Sequence, residues 1–152
     1  MDNGTEINLA KYRLEQAHEC LKMAKIAMET SLKTSVNRSY YCIFHAMRAV
    51  LALEKFDSKK HSGVISAFRQ RYIKTDIFPR HFSDIIGATF EIRNDSDYED
   101  FYVVAESEAV QQLENAKIFL TAVEEYIENI INTMTDGSQG HVNSSKASPD
   151  SL

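Results

Sequence analysis

The sequence contains few residues that interrupt helices or cross-link chains. Among 152 residues there are five Gly, two Pro, two Cys and no Trp. So few breakers over this length favour helices over a fold of short strands and tight turns. Cys20 and Cys42 form neither a CxxC pair nor a cluster with His, which argues against a structural zinc site. Because both lie among apolar residues, we expect them to be small members of the core.

Two further shortages bear on location and partners. No stretch approaches the roughly 18 apolar residues that a membrane span needs, and the N-terminus lacks the apolar run of a signal peptide. The formal net charge is -5, whereas proteins that coat nucleic acids are usually strongly basic. We therefore expect a cytoplasmic protein without membrane contact, in which any anion-binding surface is a local patch.

Apolar residues at helical spacing predict one folded domain, residues 1–133, followed by a disordered tail, residues 134–152. The expected helices begin near Thr5 and then cover residues 35–54, 61–72, 80–93 and 105–131. Matching apolar seams on the first and fifth helices predict that these two helices pack together. The predicted fold class is all-α, an up-and-down bundle of four long helices with a short extra helix.

The stretch "NRSYYCIFHAMRAV", residues 37–50, divides into an apolar and a polar face at 100° per residue. The polar face carries Arg38, Tyr41, His45 and Arg48. Two Arg and a His on one face can bind phosphate, and His can transfer protons. An amphipathic helix also needs a polar face for solvation alone. Spacing leaves both interpretations open, and the solvated face is the simpler one.

A second polar stretch, "RNDSDYEDFYV", begins at Arg93, the predicted end of the fourth helix. A cation there stabilises the helix dipole, and an Arg can equally hold a phosphate. Carboxylates follow at alternate positions, as in a calcium-binding loop, but Asp100 stands where such a loop requires Gly. We therefore expect a solvated acidic loop, and neither a metal ion nor another cofactor.

Both stretches contribute to a resemblance with a known family. The segments "NRSYYCIFHAMRAVL" (37–51), "KKHSGVISAF" (59–68) and "RNDSDY" (93–98) resemble the HEPN (higher eukaryotes and prokaryotes nucleotide-binding) domain family. The resemblance is to its small stand-alone prokaryotic members and covers residues 6–132. It implies a helical bundle that commonly dimerises and is encoded beside a minimal nucleotidyltransferase. In many such pairs the HEPN protein is an RNase toxin and the nucleotidyltransferase is its antitoxin.

Catalytic members of this family carry an Arg and a His that are separated by four to six intervening residues. In their dimers, both copies of this motif face one cleft. Arg93 and Asn94 match the start of the motif, but Tyr98 stands where the His is expected. A Tyr with an ordinary pKa of about 10 is a poor general base at neutral pH. His45 or His61 could replace the missing His only if the fold brings one of them to Arg93.

From this resemblance we expect a homodimeric protein that binds a nucleotide or RNA in a nucleotidyltransferase-linked, toxin–antitoxin-like system. The expected binding residues are Arg93, Asn94, Asp97, Tyr98, Arg38, Tyr41, His45 and Arg48. Arg93 and Tyr98 are also the candidates for catalysis. One alternative is a metal-independent ribonuclease toxin with a variant active site. Another is a purely structural protein–protein interaction subunit, in which Arg93 and Tyr98 make contacts within the bundle.

Overall fold

The computed structural model describes residues 3–138, and these residues form helices and no strand. The helices are α1 (Asn3–Ala27), α2 (Leu32–Ala52), α3 (His61–Phe68), α4 (His81–Tyr98) and α5 (Glu106–Ser138). One π-helical turn, Arg69–Ile73, extends α3. The predicted all-α bundle of four long helices and a short one is confirmed.

The central helix is α2, which packs against each of the other four helices. Its predicted apolar face is buried along the whole helix. The helix begins earlier than residue 35 because the Ser31 side chain accepts a hydrogen bond from the Thr34 backbone N–H at 3.1 Å. Such a cap satisfies one of the free N–H groups at a helix start.

Small residues allow α1 to lie close to α2. Ala10, Ala17 and Ala24 of α1 are fully buried, and the Ser35 hydroxyl of α2 donates to the Ala24 carbonyl at 2.8 Å. The predicted contact between α1 and α5 exists, but both helices pack more extensively on α2. The matching apolar seams of α1 and α5 therefore reflect the burial of both helices against α2 more than their contact with each other.

Two helices, α4 and α5, extend beyond their predicted C-terminal ends. α4 does not end at Arg93 but continues to Tyr98. The buried Ser96 and an ion pair between Arg93 and Asp97, one turn apart, hold this last part of the helix. These contacts outweigh the weak helix preference of Asn, Asp and Ser. The predicted acidic loop is consequently shorter than expected, because its first half is helical.

At the other end of the domain, α5 continues to Ser138. The prediction of a disordered tail starting at residue 134 is therefore wrong for residues 134–138. Its remaining part, residues 139–152, lies outside the described residues. α1 likewise begins at Asn3, two residues before the predicted start at Thr5.

Both cysteines are buried and unpaired, as the sequence predicted. Burial raises the pKa of the Cys20 and Cys42 thiols, which keeps them protonated and unreactive at neutral pH. Within residues 3–138, no helix is both long enough and apolar enough to cross a bilayer. In the same part of the chain, no three His, Cys, Asp or Glu side chains are grouped so as to hold a metal ion.

Candidate nucleotide-binding site

Arg93 lies on the side of α4 that faces α2, with a side chain that is only 13% exposed. Its Nη2 donates to the Tyr41 hydroxyl at 3.1 Å, and its Nη1 donates to Asn94 Oδ1 at 3.4 Å. The centre of the guanidinium lies 4.9 Å from the Tyr40 ring, 5.4 Å from the Tyr41 ring and 5.8 Å from the Tyr98 ring. Three aromatic rings thus surround this cation and attract it through their faces.

Asp97 provides the carboxylate beside Arg93. Its Oδ2 lies 3.1 Å from Arg93 Nε, but the Nε–H is not directed at this oxygen, so the contact is an ion pair without a hydrogen bond. The same Oδ2 accepts a hydrogen bond from Asn37 Nδ2 at 3.3 Å. Oδ1 of the Asn37 side chain in turn accepts from Arg38 Nε at 3.0 Å and Nη2 at 2.6 Å. Polar contacts therefore connect α4 to the beginning of α2.

Arg38 closes this network because its guanidinium lies 5.0 Å from the centre of the Tyr41 ring. Tyr41 thus contacts Arg38 and Arg93 at once. Within the described residues, Arg38 forms no ion pair with a carboxylate; its other contact is a 3.9 Å approach of Nη1 to the sulfur of Cys20. Two guanidinium groups and one carboxylate, that of Asp97, leave this network with one net positive charge.

Arg48 lies outside this network, at the far end of the polar face of α2. Its Nη2 donates to both carboxylate oxygens of Asp57 at 3.3 Å. Arg13 reaches the same carboxylate at 3.4 Å and donates to the Arg48 carbonyl at 3.2 Å. Although burial favours the neutral acid, the Ser58 N–H and the two guanidinium groups lower the pKa of Asp57. Arg48 is therefore anchored in a separate ion-pair cluster.

His45 lies between these two groups, with its ring centre 6.0 Å from that of Tyr41. Its Nδ1 is buried and has no hydrogen-bond partner in the part of the chain that the structure describes. Burial, followed by the positive charges of Arg48, Arg38 and Arg13, lowers the pKa of His45 to about 4. The imidazole is therefore neutral at physiological pH and contributes no charge for binding an anion.

His61, the first residue of α3, reaches the Arg93 network through Tyr40. The Tyr40 hydroxyl and His61 Nδ1 are hydrogen-bonded at 2.7 Å, and the His61 ring stacks on Phe44 at 4.1 Å. Burial raises the pKa of Tyr40 to about 12, although Arg93 acts in the opposite direction. Burial, then Arg93 and Arg48, lowers the pKa of His61. At neutral pH both groups are uncharged, and the His61 tautomer decides which of them donates the hydrogen bond.

The structure thus places six of the eight predicted binding residues in one network and two outside it. The six are Arg38, Tyr41, Arg93, Asn94, Asp97 and Tyr98. Asn37 and Tyr40 also contact this network, but neither was among the predicted binding residues. A buried Tyr needs a partner for its hydroxyl, and this requirement could have pointed to Tyr40. No comparable signal marks Asn37, because its bridging role depends on α4 lying opposite.

Comparison with known proteins gives consistent matches. The family model of the HEPN domain matches residues 10–126. A "UPF0332 protein" of Thermotoga maritima is 31% identical over 123 residues, which cover 80% of this chain and 93% of that protein. Two proteins of Methanocaldococcus jannaschii with "Putative toxin" in their names are also similar. One is 30% identical, and the match covers 78% of this chain and 88% of that protein. The other is 29% identical, and the match covers 69% of this chain and 73% of that protein.

Proposed function

Because the chain belongs to the HEPN domain family, we propose that it binds a nucleotide or RNA through Arg38 and Arg93. We further propose that it is the HEPN component of a toxin–antitoxin-like pair whose other member is a minimal nucleotidyltransferase. The names of the two Methanocaldococcus jannaschii relatives support a toxin-like or nucleotide-related role.

The observation that carries this proposal is the uncompensated charge of Arg38. Its Nε and Nη2 donate to the neutral side chain of Asn37, and its Nη1 has only a weak contact with sulfur. Arg93 contacts the same Tyr41 side chain. A phosphate beside Tyr41 would therefore meet two guanidinium groups, the side chains best suited to phosphate oxygens.

A base next to this phosphate would find an aromatic surface. Tyr98 is 71% exposed, and its ring lies 5.8 Å from the Arg93 guanidinium. Stacking of a base on an exposed aromatic side chain is worth about 1–3 kcal/mol and depends little on sequence. The site thus suits single-stranded RNA, with a phosphate at Arg38 and Arg93 and a base at Tyr98.

The test is the affinity for a fluorescently labelled single-stranded RNA, measured by anisotropy over a range of salt concentrations. Arg38→Ala should weaken binding about tenfold and reduce the salt dependence by about one ion. Lys117→Ala is the matched control, because it removes one positive charge at a partly exposed α5 position whose ion pair is with Glu114. Equal weakening in the two variants, or no binding by the unaltered protein, would refute the assigned site.

Under this proposal a minimal nucleotidyltransferase is encoded beside this chain, and that protein is used to test the pairing separately. The two purified proteins should elute together in size-exclusion chromatography when mixed. Independent elution at micromolar concentrations would remove the pairing from the proposal and leave the binding site untouched.

The position of His61 favours a second candidate function, a metal-independent ribonuclease with a variant active site. His61 is joined through Tyr40 to the Arg93 network, so an imidazole stands near Arg93. Its Nε2 makes no hydrogen bond to the described residues. When Nδ1–H donates to the Tyr40 oxygen, Nε2 is free to accept a proton from a 2′-hydroxyl; in the opposite tautomer it can only donate.

This candidate predicts RNA cleavage in the presence of a chelator. Arg93→Ala should abolish cleavage, Tyr98→Phe should reduce it, and His61→Asn should lower its rate about a hundredfold while RNA binding persists. Cleavage that all three variants retain would indicate a contaminating nuclease. Binding without cleavage by the unaltered protein would leave the first function standing alone, and the absence of both would favour a purely structural subunit.

A further inference from the structure

A second candidate site lies outside the Arg93 network, although Phe90 in its wall contacts the Tyr40 ring, with ring centres 6.1 Å apart. It is a cavity of about 740 Å³ between α3, the π-helical turn and α4, open to solvent. The apolar part of its lining includes Ile65, Ile86 and Phe90, and its cations are Arg69, Lys74 and Arg80. Among residues 3–138, no carboxylate lines it, and none of the six residues of the Arg93 network does.

Arg69 lies in the cavity wall and has N–H donors that lack an acceptor among the described residues. Its Nη2 donates to the Ser83 carbonyl at 3.0 Å, whereas its buried Nε has no partner in the described part of the chain. Gly87 makes room for this arrangement, because a Cβ there would come within 3.3 Å of Nη2. Nη1 of the same guanidinium is not buried in this way and also has no hydrogen bond among the described residues, so Arg69 can donate to an acceptor in the cavity.

The π-helical turn brings a second cation beside Arg69. The Lys74 N–H donates to the Arg69 carbonyl at 2.8 Å, five residues back. In an α-helix, residues five apart point about 140° away from each other. The wider π turn reduces this angle, and such turns often occur at functional sites. Among residues 3–138, the Lys74 ammonium group has neither a hydrogen bond nor an ion pair, and Arg80 has only a solvent-exposed contact with Asp76 at 3.8 Å.

We propose that this cavity binds a phosphate monoester that carries a flat or apolar ring, with the phosphate on Arg69, Lys74 and Arg80. The ring would pack on Ile65, Ile86 and Phe90. The volume suits a ligand of this size, since small-molecule sites generally span about 300–1,000 Å³. Three cations, with no carboxylate among the described lining residues, favour an anionic ligand. The apolar wall favours an anion that also carries an apolar group.

Calorimetric titration of the full chain with adenosine monophosphate, phenyl phosphate and inorganic phosphate tests this proposal. At least one of the two ring-bearing phosphates should bind, and more tightly than inorganic phosphate. Arg69→Ala should weaken this binding about tenfold and Lys74→Ala several-fold. Arg71→Ala is the matched control from the same π turn and should change the affinity less than twofold. Its guanidinium pairs with Glu54 at 3.0 Å and lies 4.6 Å from the Phe56 ring instead.

The same titrations in an Arg38→Ala background separate this cavity from the proposed RNA site, because binding here should persist when that site is weakened. Lys74 is exposed, so Lys74→Ala remains informative even if Arg69→Ala impairs folding. Binding of the adenosine compound alone would identify a nucleotide as the ligand, and binding of both compounds would identify the wider class. Three outcomes would each overturn the proposal: no binding of either ring compound, equal affinity for inorganic phosphate, or affinities unchanged by both cavity variants.

Discussion

Tyr41 is the residue on which the charged groups of the candidate site converge. Its hydroxyl accepts a hydrogen bond from Arg93, and its ring faces Arg38. Asp97 compensates the charge of Arg93, whereas no carboxylate pairs with Arg38 in the part of the chain described. At the residue scale, the capacity to bind an anion therefore depends on a single unmatched guanidinium.

Asp97 should compete with a bound phosphate for Arg93. We expect Asp97→Asn to raise the affinity for RNA several-fold, because it removes a negative charge 3.1 Å from Arg93 Nε. The same change should cost about 1 kcal/mol of stability, since it weakens an ion pair and a hydrogen bond. RNA anisotropy and urea unfolding measure the two effects. Asp95→Asn, which removes the same charge two residues away, is the control, and an equal gain in affinity there would contradict a direct role for Asp97.

His45 should make stability depend on pH. Its pKa is about 4 in the folded protein and 6.5 ordinarily, so the unfolded chain takes up the proton first as the pH falls. Its contribution is fully present above pH 6.5 and is lost towards pH 4. Because the side chain is partly exposed, we expect His45→Gln to remove only about 1 kcal/mol of the stability difference between pH 7 and pH 5.

Urea unfolding at these two pH values measures the His45 effect. His81→Gln is the control, because His81 is exposed at the start of α4, away from the three arginines that lower the pKa of His45. Identical pH dependence in His45→Gln and the unaltered protein would show that His45 is not responsible. Some dependence should survive in His45→Gln, since the pKa of His61 is lowered as well.

At the scale of elements, the site depends on α1 and α4 lying close to α2. The extension of α4 to Tyr98 places Arg93 and Asp97 one turn apart on the same side. Small side chains on α1 allow its backbone to approach α2, and Arg38 reaches back to Cys20 of α1. The positions of the functional side chains thus depend on helix spacing as well as on helix content.

Enlarging a buried alanine in α1 should therefore reduce stability. Ala17 is fully buried, and we expect Ala17→Leu to lower the free energy of unfolding by about 1–3 kcal/mol through overpacking. Lys22→Leu, at an exposed position of the same helix, should change it by less than about 0.5 kcal/mol. Urea denaturation of both variants makes the comparison. Equal stability of Ala17→Leu and the unaltered protein would mean that α1 can move away from α2 without cost.

At the scale of the whole molecule, a protein with a net charge of -5 carries a local excess of positive charge on α2. Three apolar side chains are exposed at the end of α4 and in the segment joining α4 and α5. They are Tyr98 (71% exposed), Phe101 (99%) and Val103 (82%). We propose that a homodimer buries them and brings two Arg93 sites to one cleft. The backbone of Phe101 has a φ of 64°, which a bulky residue rarely adopts.

Phe101→Asn tests this dimer without weakening the fold, because Asn tolerates a positive φ better than Phe does. We expect the variant to be monomeric in sedimentation experiments at concentrations where the unaltered protein is a dimer, with equal or higher thermal stability. Ile77→Asn removes another exposed apolar side chain, 45% exposed, and should leave the dimer intact. A dimeric Phe101→Asn protein would exclude this surface as the interface.

The sequence alone determined the number of helices, their apolar faces and the burial of both cysteines, because these follow from local periodicity and composition. It also named Arg38, Tyr41, Arg93, Asn94, Asp97 and Tyr98, which the structure brings together. The resemblance selected this set, and spacing alone could not separate a working site from a solvated face.

Only the tertiary structure decided which polar residues meet. It continued α4 through Asp97, separated Arg48 into a cluster with Asp57, and joined His61 to Arg93 through Tyr40. These contacts link residues far apart in the chain and depend on which helix faces oppose each other. Helical periodicity shows which face of a helix is polar. The charge that this face meets depends on the packing of all five helices.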